Sequence, residues 1–571
     1  LGAALSFISR RPRLAAFAGG LLFSLAMTLA FEPFGLWPLT LLAIIPLAVV
    51  AADREVRPAR GAFFAWLGML PFWGFVGHWV VNISNVGYIP LVWYTALTTA
   101  VGFWLLAVGA RTFPRVPGWV LTPVLWTGAE VLRGNVIWNG YPWFQIGHPL
   151  IEQPVLSSPA RLLGAYFVSF LVALIAGVAA DLVRRRPGRW IGVGVLAGAW
   201  GASIGVAAAF SPAPSAISAR IGVVQTNIPQ SVKGEWDLGQ RYDDHQRWLE
   251  QSLRLGERRP DVIVWPETMY PGFVLDTVSW NTIEAERDRH PALVQNIGAF
   301  RSDLLAVQSR LGVPFLIGAS GYQDLRVVEI GPERDVDLKW ARRFNSAMLV
   351  RNGGVESGRY DKMQLTPFGE VMPYISAWPW LERQFLTVGV GASGMNFDLS
   401  AGTDPYVFTI TTRDARPLRL VTPICFEATI PAICRKLVYG AGRRRADVVV
   451  QLTNDGWFGS FDAGRLHHAL CSRWRAVELG TPVVRVANTG VTCVIAADGS
   501  VARMARDQSG RPGRTEIFDV VEVPLVAGST PYGAIGDLFG LSALGLSLLT
   551  CVIGLAKRPR GVGSSGAGAS H

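Results

Sequence analysis

The stretch Leu418–Glu427, Leu418-Arg419-Leu420-Val421-Thr422-Pro423-Ile424-Cys425-Phe426-Glu427, decides how the chain is read. Its first seven residues predict a β-strand, and a helix is expected from about Pro431, so Cys425 falls at a strand-to-helix junction. A sulfur near a helix N-terminus has its pKa lowered and its nucleophilicity raised. A lone cysteine is more often a small buried hydrophobe, so the reactive reading depends on partners.

Two partners stand upstream. Glu267 follows the strand DVIVW in Trp265-Pro266-Glu267-Thr268, where the proline stops the strand and turns the carboxylate out of the ladder. Lys362 follows another strand in Tyr360-Asp361-Lys362-Met363-Gln364-Leu365, ahead of Pro367-Phe368-Gly369-Glu370. Taken singly, these are a solvated acid and a surface lysine. Together, a carboxylate, an ammonium and a thiol are the parts that acyl transfer through a covalent thioester requires.

Around these residues, β-rich runs alternate with helical ones. Strands are expected at Arg220–Gln225, Val262–Trp265, Pro314–Gly318, Leu418–Ile424, Asp447–Leu452, Pro482–Ala487, Thr492–Ala496 and near Glu516–Val521. Ser346–Arg351 and Val355–Tyr360 form a hairpin around Asn352-Gly353-Gly354. Helices are expected over Gln240–Leu255, Pro291–Leu311 and Leu466–Leu479. The alternation predicts a layered α/β domain in which strand-end loops carry the reactive groups.

The domain is bracketed by apolar sequence. Half of the 571 residues are hydrophobic and 17% are charged, a balance too apolar for an ordinary soluble enzyme. About eight segments approach the roughly 20 apolar residues that spanning a bilayer needs: Leu14–Ala30, Leu36–Ala52, Ala62–Val81, Ile89–Ala110, Trp119–Leu132, Leu162–Val183, Trp190–Phe210 and Ile535–Ala556. The expected organisation is a seven-helix transmembrane bundle over 1–213, an extracytoplasmic catalytic domain over 214–530, a last transmembrane helix over 531–556, and a disordered cytoplasmic tail over 557–571. Arginines collect at alternate connections (Arg10, Arg11 and Arg13; Arg54, Arg57 and Arg60; Arg111 and Arg115; Arg184 to Arg186 and Arg189), which puts both termini in the cytoplasm. The same arginines account for much of the net charge of +11, so nucleic-acid binding is not expected. His78, Glu130 and Arg133 are unusual inside or beside the spans; no catalytic role is assigned to them. No metal or organic cofactor is implied, because neither a ligand cluster nor a phosphate-binding glycine loop stands out.

The contexts of Glu267, Lys362 and Cys425, in this chain order, resemble the nitrilase superfamily over roughly residues 218–525. With the flanking spans, the chain resembles that superfamily's membrane acyltransferases, which N-acylate bacterial lipoproteins. The resemblance implies an αββα sandwich, with Glu267 as general base, Cys425 as nucleophile, and Lys362 and the Phe426 N–H as oxyanion donors. Glu370, Glu427 and Trp236 would be supporting residues, and Tyr360 and Asn454 candidate site-lining ones. Phe426 departs from the family, which often has Tyr there. The resemblance further implies a phospholipid acyl donor, a diacylated apolipoprotein acceptor, a bacterial inner-membrane location with the catalytic domain on the periplasmic side, and a monomer. The apolar segment Tyr374–Val390 suits an interfacial lid, with Trp378, Trp380 and Phe385 as lipid contacts. A membrane-tethered amidase sharing the same three residues is the rival reading; a transporter or scaffold with an inactive domain is the other.

Overall fold

The computed structural model describes residues 2–229, 236–330, 335–371, 380, 384 and 398–557. Each of the eight apolar segments falls on helical structure, and several of the helices start at a proline or just after a glycine. Pro12–Ala30 and Pro58–Val76 begin on prolines, whose missing N–H costs nothing in a first turn. The second segment is broken into short pieces between Trp37 and Ala51, with Pro38 and Pro46 opening the first and last of them. Asn85–Thr112, Gly118–Val131, Ala165–Val183, Arg189–Ala209 and Leu538–Ala556 complete the set. Among the described residues, five helices are long and apolar enough to cross a membrane by length and composition.

Close packing of these helices uses small residues where backbones meet. A β-carbon on Gly20 would come within 2.9 Å of Gly68 Cα, and the Ser24 hydroxyl donates to the Gly68 carbonyl at 2.7 Å. Glycine at such a crossing lets two helices approach and gain dispersion contact that a larger side chain would forbid.

Among the described residues that follow, two six-stranded sheets dominate, with two small two-stranded ones beside them (Arg326–Ile330 with Asp335–Lys339, and Tyr439–Gly440 with Arg443–Arg444). The strands of the large sheets are β1 (Ala213–Gln225), β2 (Val262–Trp265), β3 (Phe315–Gln323), β4 (Arg342–Arg351), β5 (Gly354–Asp361), β6 (Phe408–Thr411), β7 (Pro417–Val421), β8 (Val448–Thr453), β9 (Val483–Ala487), β10 (Cys493–Ile495), β11 (Val501–Met504) and β12 (Ile517–Ala527). The first sheet runs β12-β1-β2-β3-β4-β5, the second β11-β10-β9-β8-β7-β6. Each is built alike: a parallel trio (β1-β2-β3 and β7-β8-β9) flanked by antiparallel strands.

The period of two along the strands decides what each sheet face meets. Val262 and Val264 point into a core shared with Leu420, Val448 and Val450 of the second sheet, while Ile263 and Trp265 face a second core with Trp248 and Phe300 from helices Leu238–Glu257 and Pro291–Leu311. Helices Pro431–Val438 and Asp462–Leu479 cover the other side of the second sheet.

Helix Asp462–Leu479 also joins the sandwich to the apolar helices. Leu470, Cys471, Trp474 and Val477 belong to the same buried cluster as Phe23, Phe72 and Phe144. Polar ties reinforce the seam: the Trp474 Nε1–H donates to the His148 carbonyl at 3.1 Å, the Ala165 N–H donates to Glu478 at 2.8 Å, and His467 Nε2 lies 2.8 Å from the Glu32 carbonyl. All five cysteines are unpaired.

Candidate active site

Glu267, Lys362 and Cys425 converge beyond the ends of β2, β5 and β7, where strands stop and backbone is free to present side chains. Glu267 leaves β2 after Pro266 and is almost wholly buried. Its Oε1 accepts from Asn345 Nδ2 at 2.7 Å, and its Oε2 accepts from the Asn454 backbone N–H at 2.7 Å. The Lys362 ammonium lies 3.7 Å from Glu267 Oε1.

Lys362 is itself fully buried and held by a second carboxylate. Its Nζ donates to Glu370 at 2.7 and 2.9 Å and to the Thr366 hydroxyl at 3.4 Å. Burial opposes the charge, but Glu370 and Glu267 more than offset it and the ammonium's pKa is raised. In return, Lys362 and the Thr366 N–H overcome the effect of burial on Glu370 and lower its pKa. A cation is therefore fixed between two acids, one engaged in its support and the other adjoining the thiol.

Cys425 is partly exposed and adopts φ +53°, a left-handed conformation that a side chain with a β-carbon disfavours. The five residues Cys425–Thr429 form a single 3-10 turn rather than the start of a long helix. Burial pushes the thiol up, Glu267 pushes it further, and Lys362 pulls it down without cancelling either. The lowering expected from a helix N-terminus is therefore not found, and the thiol's pKa is raised instead. At neutral pH the sulfur rests as a thiol, and a base is needed to arm it.

Glu427 ties the cysteine and lysine segments together. Its fully buried carboxylate accepts from the Ile424 N–H at 2.7 Å, from the Met363 and Gln364 N–H groups at 2.7 and 3.0 Å, and from the Tyr360 hydroxyl at 2.8 and 2.9 Å. Burial pushes its pKa up to about 7 against these donors. Tyr360 therefore acts beneath the site as a donor to Glu427. Asn454 touches the site through its backbone, and its Oδ1 accepts from Asn488 at 2.9 Å.

Trp236 is engaged elsewhere: its Nε1–H donates to Asp244 at 2.9 Å and its ring packs on Trp248 and under the Arg241 guanidinium. Trp380 is 62% exposed, whereas Trp378 and Phe385 lie outside the described residues.

Three residues close to the reactive groups carried no signal in the sequence. Asn345 is a polar residue inside β4. Gln451 and His468 both meet the Cys425 carbonyl, at 3.3 and 3.2 Å. The apolar helices and their connections reach the surroundings of these residues: Trp138 packs on Phe368 of the lysine loop, Trp143 stacks on His468 of helix Asp462–Leu479, and Trp79 meets Phe458.

Residues 220–511 match the family model described as Carbon-nitrogen hydrolase, and residues 19–178 the one described as Apolipoprotein N-acyltransferase N-terminal domain. The apolipoprotein N-acyltransferase of Haemophilus ducreyi is 27% identical, with 93% of this chain and 95% of that protein covered. That of Rhodopseudomonas palustris is 29% identical, covering 97% and 96%. Among solved structures, an amidase from Nesterenkonia sp. matches at 17% identity and a TM-score of 0.33, covering 54% of this chain and 90% of that one. The chain belongs to the carbon–nitrogen hydrolase family and carries, ahead of that domain, an N-terminal domain of the apolipoprotein N-acyltransferase type.

Proposed function

We infer that the chain acts as an apolipoprotein N-acyltransferase, moving a fatty acyl chain from a phospholipid through a thioester on Cys425 to the N-terminal amine of a lipoprotein's diacylglyceryl cysteine. The observation that carries this is the position of the thiol. It sits beside a buried carboxylate–ammonium pair, against loops that pack directly on the apolar helices, in a chain similar to such enzymes over nearly its whole length.

In the first step Glu267 takes the thiol proton as Sγ bonds to the ester carbonyl carbon. The oxyanion faces the Lys362 ammonium and the Phe426 N–H. Collapse breaks the C–O bond, and the departing lysophospholipid oxygen takes the proton from Glu267. In the second step the acceptor amine attacks the thioester, Glu267 takes a proton from it, and collapse breaks the C–S bond to release the amide. The sulfur then recovers the proton. Each half uses the same base and the same oxyanion donors, which gives ping-pong kinetics. An ester-to-thioester exchange is near balance, whereas a thioester-to-amide step runs downhill, so the acceptor draws the cycle forward.

The eight apolar segments span the inner membrane in this reading, residues 214–530 lie on its periplasmic side, and both termini are cytoplasmic. The protein works as a monomer. A tethered amidase would share Glu267, Lys362 and Cys425, so the acceptor separates the two. Purified protein in phospholipid nanodiscs should N-acylate a diacylated lipopeptide and release lysophospholipid in equal amount. Amide hydrolysis without lipid, and no lipopeptide product, would refute the proposal.

A further inference from the structure

We propose that His468 is a positioning residue for the nucleophile: its Nε2–H, together with the Gln451 side-chain N–H, holds the Cys425 carbonyl and keeps that residue in its left-handed backbone conformation, aiming the thiol at Glu267 and Lys362. The inference rests on Cys425 being the nucleophile.

A carbonyl oxygen only accepts, so His468 Nε2 at 3.2 Å and Gln451 Nε2 at 3.3 Å must both be donors. The need for such a clamp is local. With φ at +53°, Cys425 departs from what its side chain prefers, and conformations of this kind persist where surrounding contacts over-determine them. Rotating the peptide out of this conformation would swing both the sulfur and the Phe426 N–H, the two groups that act on the ester.

Both donors are themselves fixed and buried. His468 Nδ1 lies 2.9 Å from Asp455 Oδ1, and Asp455 is held in turn by the Thr453 hydroxyl at 3.1 Å and by the Arg485 guanidinium. On one face of the imidazole, the Trp143 indole stacks with ring centroids 5.6 Å apart and planes 21° from parallel. Gln451 is oriented by the Ser472 hydroxyl, which donates to its Oε1 at 2.6 Å. Trp143 comes from the connection between apolar helices Gly118–Val131 and Ala165–Val183. The geometry of the reactive sulfur therefore depends on the helical region being docked in place.

The test is the rate of acyl-adduct formation on Cys425, followed by rapid mixing of the full-length protein with phospholipid and intact-protein mass spectrometry. His468→Ala should slow this rate roughly 10- to 100-fold, the range that a misplaced reacting group costs, with half-saturating phospholipid within about two-fold of wild type. His468→Gln, which can place an N–H near the Nε2 position, should recover most of the loss. A purely structural residue would show neither the split between rate and saturation nor the rescue. Acylation by His468→Ala within two-fold of wild type would overturn the proposal; so would a glutamine variant as slow as alanine while both unfold at the wild-type temperature. Should His468→Ala not fold, Gln451→Met carries the same test: at least a ten-fold slower adduct supports the clamp, and an unchanged rate overturns it. Failure of the wild-type protein to form any adduct would strike the nucleophile assignment itself, and the clamp with it.

Discussion

Replacing Lys362 by Met separates what the ammonium does for the fold from what it does for the reaction. Its Nζ lies 2.7 Å from Glu370 and 3.7 Å from Glu267. At an effective dielectric of ~20 those separations correspond to gross attractions of about 6 and about 4 kcal/mol, much of which offsets desolvation. Removing one member of a buried ion pair costs about 3–5 kcal/mol, chiefly because the partner charge is left without a counter-ion. Two carboxylates would be so stranded here, so Lys362→Met should lower the stability by about that amount. Loss of one oxyanion donor adds a rate penalty of roughly 100- to 1000-fold.

The double variant Lys362→Met/Glu370→Gln removes one stranded carboxylate, while the amide oxygen can keep the Thr366 N–H bond seen at 2.8 Å. It should regain most of the stability and none of the transfer. Unfolding temperature in nanodiscs and lipopeptide acylation rate are the paired assays. A double variant within ten-fold of wild-type activity would refute the oxyanion role, and a single variant as stable as wild type would refute the buried-pair energetics.

Other consequences can be checked separately. Glu427 has its pKa raised from 4.5 to about 7, so between those values the native state keeps a proton that the unfolded chain has released. Its contribution to stability therefore falls as pH rises through that window and levels off above it; Glu478, raised to about 7 by burial, adds a slope of the same sign. Glu427→Gln should flatten the decline in unfolding temperature between pH 5 and pH 8, and an unchanged decline would contradict the assignment. Asp455→Ala strands the buried Arg485 guanidinium and should cost about 3–5 kcal/mol in denaturant titrations; a loss under 1 kcal/mol would show that water compensates the charge. Replacing Trp378 and Trp380 by Ser should weaken phospholipid use while leaving alkylation of Cys425 by a small reagent intact, and equal loss of both would point to misfolding.

How far these features could be read from sequence depended on the range of the interactions behind them. Apolar segments and parallel-strand cores are signalled locally, so helix Pro291–Leu311 has its expected bounds and the hairpin turns at Asn352-Gly353 as expected, although β4 starts at Arg342, four residues before Ser346. Local reading lost the strand ends: β3 continues to Gln323 because antiparallel pairing with β4 supports it beyond Gly318. Strands β6 and β11 are edge strands with weak patterning and were not anticipated. Glu267, Lys362 and Cys425 were legible because each follows a strand and together they suit one chemistry. The thiol's raised pKa was not legible, since it comes from burial and from Glu267, which is distant in sequence. Asn345, Gln451 and His468 look unremarkable in place, and only the meeting of two sheets, a helix and the Trp143 connection gives them their contacts.

The most direct test of the central claim is intact-protein mass spectrometry of the full-length chain after incubation with a phospholipid of defined acyl chains. The account predicts a mass increase of one acyl chain, mapped to Cys425, absent from Cys425→Ala, and discharged when a diacylated lipopeptide is added. An adduct on another residue, or lipopeptide acylation that proceeds in Cys425→Ala, would contradict it.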